Sequence, residues 1–437
     1  MRKILFVANI AKPEVEMINL LYEALKAKGV SLYLLLFRTH NANILKLKPP
    51  KFVLNHTLLD RLILPDLQDA KIQNNYHFEK YYSIDSELYQ KINRQRYKSN
   101  FKKYIKLLGS ILDYYEIDFV ILNNQCDGVY ELTEDILTDL GMSHIKYLRW
   151  SFTGYYKFNN ALFDEKISLN IESNYSKDIV DELPLFNFKY PKNEAAYKQN
   201  VPYVLFLGGG HELGTGIKSS KYYNERGYKW GSDIDIINHL IDLWEQNNFD
   251  KKFDLVVRQH PFTRFKYNLE KLDKIPFIKN GRPYELANLI NGAKGMICTH
   301  TTLVEHIMLS GKKLCVLGNH EFCNYCLPCL KNSSELISWL SNLDVDEIDQ
   351  ETINQTINCY YHQYVLNIND EGSVTRIVNR ILEKMHANQF RTDLKHYHNY
   401  SGRLKKIYLI NYLNMIINLI RLNLVRIKKS ILSSAKK

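Results

Sequence analysis

Three short segments carry side chains able to handle a negatively charged ligand. The first is Leu207-Gly-Gly-Gly-His-Glu-Leu-Gly-Thr-Gly216. Glycines such as Gly209 and Gly210 let backbone N–H groups approach a phosphate or sugar closely, and His211 with Glu212 adds a titratable pair to the same loop. No Gly-Lys-Ser/Thr follows, and the glycine spacing differs from the dinucleotide fingerprint, so neither of those phosphate loops is encoded. A tight turn with exposed polar groups is the plain alternative. The second segment is Val257-Arg-Gln-His-Pro261. His260, its backbone restricted by the following proline, can offer a hydrogen bond or positive charge to a leaving phosphate, and Arg258 can add charge. The third is Cys298-Thr-His-Thr-Thr-Leu-Val-Glu305. Thr301 and Thr302 are expected in the first turn of a helix, where hydroxyls and free backbone N–H groups form an anion site at the positive helix end. Glu305 falls on the same side of that helix and can accept from ribose hydroxyls; alternatively, Thr302 and Glu305 make a simple capping box.

Each of these segments follows an apolar, β-prone run, and the runs alternate with helical patterns. RKILFVAN, VSLYLLLF, DFVILNNQ and HIKYLRW read as strands in the first half, with helices over Glu14 to Lys28 and Leu132 to Leu140. In the second half, YVLFL, FDLVVRQH, KGMICTH and KKLCVLG read as strands, and helices fall over Asp233 to Asn247, Pro283 to Asn291 and Thr302 to Ser310. Such alternation predicts parallel sheets covered by helices, with ligand at the carboxyl ends of the strands. The expected fold class is α/β with two Rossmann-like domains, residues 1–195 and 200–385, joined by the polar, proline-containing stretch near 181–200 and followed by a helical basic tail over 386–437.

At the second and third segments the chain resembles the capsule polysaccharide synthesis family of bacterial glycosyltransferases, which includes the β-Kdo transferases. The family pattern is close to K-x-H-P followed by N-S-T-x-x-x-E-A-x-x-x-G-K-x-V-x-x-x-G. Here His260, Pro261, Thr302, Glu305, Gly311, Lys312 and Gly318 match it. A fainter echo in the first half runs through Asn123, Gly154, Tyr155, Asp164, Asn170 and Ser173. Two positions depart: Phe152 stands where relatives carry Glu, and Gly209 stands where they carry Gln. The resemblance implies a GT-B fold with CMP-Kdo as donor, no bound metal or other cofactor, a retaining outcome, and a glycan or lipid-linked acceptor of capsule or lipopolysaccharide synthesis. On these residues the helix after Thr301 and Thr302 is expected to grip the CMP phosphate, and His260, with Arg258, to stabilise it as it leaves. Glu305 would hold the ribose, and Glu212 or His211 would act at the anomeric carbon. No Asp-x-Asp follows a strand, which agrees with a metal-free donor site. CMP-sialic acid is a rival donor, and a non-catalytic sugar-nucleotide-binding scaffold is a rival from another class.

Composition sets the outer limits. The chain has 437 residues, 45% hydrophobic and 24% charged, with only 19 Gly and 11 Pro, which suits two ordinary cores and excludes fibrous or disordered classes. The formal charge is +11, and Ser401 to Lys437 holds nine Lys or Arg with no Asp or Glu, so the excess is local. That tail is apolar in its middle and fits an amphipathic helix on an anionic membrane surface, or else a helix packed on the first domain. With no apolar run long enough to span a bilayer, the expected place is the cytoplasm, peripheral to the inner membrane face. The tail lacks interleaved aromatics and no recognition module is visible, which argues against nucleic acid as a partner. Seven Cys in such a chain are expected as thiols, although Cys323, Cys326 and Cys329 with His320 have the spacing of a small zinc site.

Overall fold

The computed structural model describes residues 2–8, 12–36, 51–53, 103–123, 128–159, 167–171, 175, 178–184, 201–208, 233–258, 274–299, 301, 303–345 and 347–387. Contacts divide the chain into two compact units, residues 1–147 with 367–437, and residues 148–366. Among the described residues, the strands form one seven-stranded and one six-stranded sheet.

In the first unit, β1 (Arg2–Ala8), α1 (Lys12–Ala27) and β2 (Val30–Leu36) make a parallel βαβ start, with β3 (Lys51–Val53) beside β2. A helix over residues 103–114, α2, leads to β4 (Phe119–Asn123), which lies parallel to β1 on its other side. Then come α3 (Gly128–Asp139) and β5 (His144–Arg149), parallel to β4. Leu5 and Val7 pack against α2 and α3, while Phe6 turns to the opposite face and meets Tyr147 at 5.0 Å between ring centroids. A strand covered on both faces must be apolar at every position, which is why β1 reads as a continuous run.

The second unit contains β6 (Tyr155–Phe158), β7 (Tyr203–Leu207), α4 (Asp233–Gln246), β8 (Asp254–Arg258), β9 (Ile278–Asn280), α5 (Leu286–Gly292) and β10 (Gly295–Cys298). It continues with α6 (Val304–Leu309), β11 (Leu314–Leu317), β12 (Cys329–Leu330), α7 (Ser333–Ser341) and α8 (Gln350–Tyr364). Its six-stranded sheet is parallel at every pairing. Leu205, Val256, Met296 and Val316 face one core with α5, α6 and α8; Phe206, Leu255, Ile297 and Cys315 face another with α4 and α7. This period-two split is the physical basis of the two-sided layout.

The expected mixed α/β class with two parallel sheets is present. The unit boundary differs from the expected break near 195–200, because the chain from Trp150 onward, through Phe152, Ile167, Leu169 and Ile179, already belongs to the second unit's core. β13 (Val365–Asn367) then leads into α9 (Glu371–Ala387), which returns to pack on α1. The second unit therefore ends at residue 366 rather than 385. Residues 185–200 of the expected linker, and residues 388–437 of the expected tail, lie outside the described residues. Among the described residues, no helix is long and apolar enough to cross a membrane.

Candidate functional site

Strand register decides which loops share an edge. Leu207 pairs with both Arg258 and Cys298, and Cys298 pairs with Val316. The chain therefore leaves β7, β8, β10 and β11 at one level, the carboxyl edge where open α/β sheets take their ligands. Two glycines shape this edge. Gly208 donates its N–H to the Arg258 carbonyl at 3.0 Å, and a Cβ there would lie 2.6 Å from Asp233 Oδ2, so only glycine lets the buried first residue of α4 sit against the strand end. Gly318, just past β11, has φ +122°, a backbone conformation that side chains rarely allow.

Of the candidate site residues, Arg258, Thr301 and Glu305 are described; Gly209, Gly210, His211, Glu212, His260 and Thr302 lie outside the described residues. The Arg258 guanidinium donates through Nη1 to the carbonyls of Gly281 at 2.9 Å and Arg282 at 3.3 Å, and to that of Tyr284. It thereby holds the 281–284 turn beside β9. Thr301 Oγ1 accepts from the Leu303 N–H at 3.3 Å. The expected helix start is corrected: α6 spans six residues, Val304–Leu309, and its N-cap is Leu303 with no side-chain cap. Glu305 does not close a capping box. It is buried, and its carboxylate accepts from the Trp150 indole N–H at 2.9 Å and from the Ser151 hydroxyl. Those donors outcompete the cap because a buried carboxylate needs strong partners for both oxygens.

Glu305 belongs to a buried polar cluster that the motif reading missed. Lys157, on β6, donates to Glu321 Oε1 in an ion pair whose members are both buried, and the Tyr360 hydroxyl lies 3.5 Å from the same oxygen. His320 Nδ1 lies 3.7 Å from Glu321 Oε2. His306 Nε2 is 3.3 Å from the Ser151 carbonyl, and its ring meets Phe152 at 4.5 Å. Burial pushes the Glu321 carboxyl upward, but His320 and Lys157 together outweigh it and hold the group below its ordinary value. Burial likewise keeps the His306 imidazole below its ordinary value, against the opposing pull of the Ser151 carbonyl and Glu305. Phe152 is packed among Trp150, Tyr155 and His306, so a Glu at this position would be buried in an aromatic core. Two signals in the sequence could have found the cluster: a lysine inside the apolar run YYKF, and a His-Glu pair one residue beyond Gly318.

The expectation of reduced thiols is also corrected, since Cys323 and Cys329 form a disulfide. Their Cα atoms stand 5.3 Å apart across a tight turn, close enough to bond without backbone movement. Two sulfurs of the conceivable zinc cluster are thereby consumed. Cys326 remains a thiol, pushed up to about 12 by burial.

No protein-family model matches the chain, and no curated protein matches it. Among solved structures, the chain is similar to S. aureus MnaA in a structure with UDP: 12% identity, 90% of this chain, 99% of that chain, TM-score 0.35. It is similar to Thermosulfurimonas dismutans KpsC, a β-Kdo 2,4 transferase, at 9% identity over 62% of this chain and 93% of that one, TM-score 0.39. Medicago truncatula UGT71G1 complexed with UDP-glucose gives 9% identity, 87% and 98% coverage, and TM-score 0.34. At these values the likenesses carry neither family nor activity over to this chain.

Proposed function

We propose that the chain is a GT-B-type, metal-independent glycosyltransferase that moves Kdo from CMP-Kdo to a glycan or lipid-linked acceptor of capsule or lipopolysaccharide synthesis. The reading places it on the inner face of the cytoplasmic membrane, held there by its basic tail. One observation supports the proposal: the register of β7, β8 and β10 brings Leu207, Arg258 and Cys298, the residues at which the glycine-rich, His-Pro and Thr-Thr segments begin in the sequence, to the same sheet edge.

In this reading the bond from the anomeric carbon to the phosphate oxygen breaks with its electron pair leaving on CMP. The His260 imidazole and the backbone N–H groups around Gly209, Gly210, Thr301 and Thr302 stabilise that developing charge. The acceptor hydroxyl forms the new bond and gives up its proton. Glu212, with His211 beside it, takes that proton or, in a retaining double displacement, attacks the anomeric carbon first. Arg258 acts by fixing the 281–284 turn through three backbone carbonyls. Glu305 acts by tying α6 to the Trp150–Ser151 segment, from which it would have to be released to reach a ribose.

CMP release from CMP-Kdo in the presence of acceptor tests the assignment. His260→Ala is expected to slow it about 10² to 10³-fold, the usual effect of losing a main charge-stabilising donor. A native rate in that variant rejects the role of His260. Faster release from CMP-sialic acid reassigns the donor, and no release from either by the native chain leaves only the binding scaffold.

A further inference from the structure

We propose that Glu305, His320 and Glu321 form a site for a divalent ion of the zinc type, one that clamps α6 to the turn after β11. The site shares Glu305 with the sugar-transfer reading, where that residue ties α6 to the Trp150–Ser151 segment, but that reading routes no step through a metal. One ligand atom from each of the three residues lies within 4.8 Å of the other two, and all three residues are buried. The His320 Nδ1 to Glu321 Oε2 separation of 3.7 Å is too long for a hydrogen bond. It is near the distance of about 3.4 Å between two ligands that each sit about 2.1 Å from a tetrahedral ion.

A second observation points to a ligand. Glu321 Oε2 is buried and has no hydrogen-bond partner, in a residue with no solvent exposure. Leaving such an oxygen bare is costly, and a cation between it and His320 would remove the cost. The remaining contacts have the form of an outer shell. Trp150 and Ser151 hold the Glu305 carboxylate, and Lys157 and Tyr360 hold Glu321 through its other oxygen. Mixed nitrogen and oxygen ligands suit zinc better than calcium or magnesium.

The test uses the full chain, purified without a metal-binding tag, with elemental analysis and thermal melts after dialysis against zinc. About one zinc per chain is expected, with a melting temperature that falls on chelation and recovers when zinc alone is returned. His320→Ala and Glu321→Gln should each lower bound zinc at least about tenfold. Ser151→Ala leaves all three ligands in place and should weaken zinc affinity about tenfold, a change that reads the site even if a ligand variant fails to fold. Zinc below about a tenth of an equivalent in the dialysed native chain, or unchanged zinc in His320→Ala and Ser151→Ala, overturns the proposal.

Discussion

Lys157 and Glu321 are charged groups that the chain has taken out of water, and each is tolerable only in the company of the other. Lys157 is a charged residue in an otherwise apolar strand, and its ammonium has Glu321 Oε1 as its counter-charge. Removing one member of such a pair costs about 3–5 kcal/mol, because the survivor stays buried and uncompensated. Lys157→Met is therefore expected to destabilise the chain by about that amount in denaturant melts at neutral pH with a chelator present, so that Glu321 carries no metal. The sign of its pH dependence follows from Glu321, whose folded carboxyl lies below its ordinary 4.5. Its stabilisation is present above that value and is lost as pH falls through the depressed folded value, so native and variant stabilities should converge in acid. A constant difference down to the acid limit would mean that the ion pair is not the source. Lys157 itself was visible in the sequence as a charge in an apolar run, but its partner was not. The two residues are separated by 164 positions, and no local pattern encodes such a pairing.

The elements themselves were largely legible. Every strand expected from an apolar run, from RKILFVAN to KKLCVLG, is present, because a strand buried on both faces has to be apolar throughout. The helices α1, α3, α4 and α5 also fall where their periodicity puts them. α6 was the exception: a Thr followed three residues later by Glu resembles a capping box, yet Glu305 is drawn away by Trp150 and Ser151, 155 and 154 positions earlier. Long-range donors of this kind override local capping. The turn between β11 and β12 was misread for a related reason, since whether three nearby Cys bind metal, stay reduced or pair depends on how the turn brings them together. The Cys323–Cys329 bond closes a loop with a sequence separation of 6, and such a short loop is worth about 2 kcal/mol in the chain-entropy account. Replacing both residues by Ser should lower unfolding stability by about that much. An unchanged denaturation midpoint would show that the turn is held by other contacts.

At the scale of the whole molecule, two parallel α/β units were expected from the alternation, but their boundary was not. A polar, proline-containing stretch near 181–200 looks like a linker, whereas the compact units part after Tyr147 and the chain re-enters the first unit at Asn367. Composition reports where a segment is exposed; it does not report which core an apolar residue such as Trp150 joins. The proposed transfer requires that a nucleotide monophosphate bind at the carboxyl edge of the second unit's sheet. Calorimetric titration of CMP into the full chain measures this most directly. Saturable binding is predicted, weakened at least about tenfold by His260→Ala, as the loss of one charged hydrogen bond to a phosphate would require. No binding at millimolar CMP, or equal affinity in native and variant chains, would contradict it.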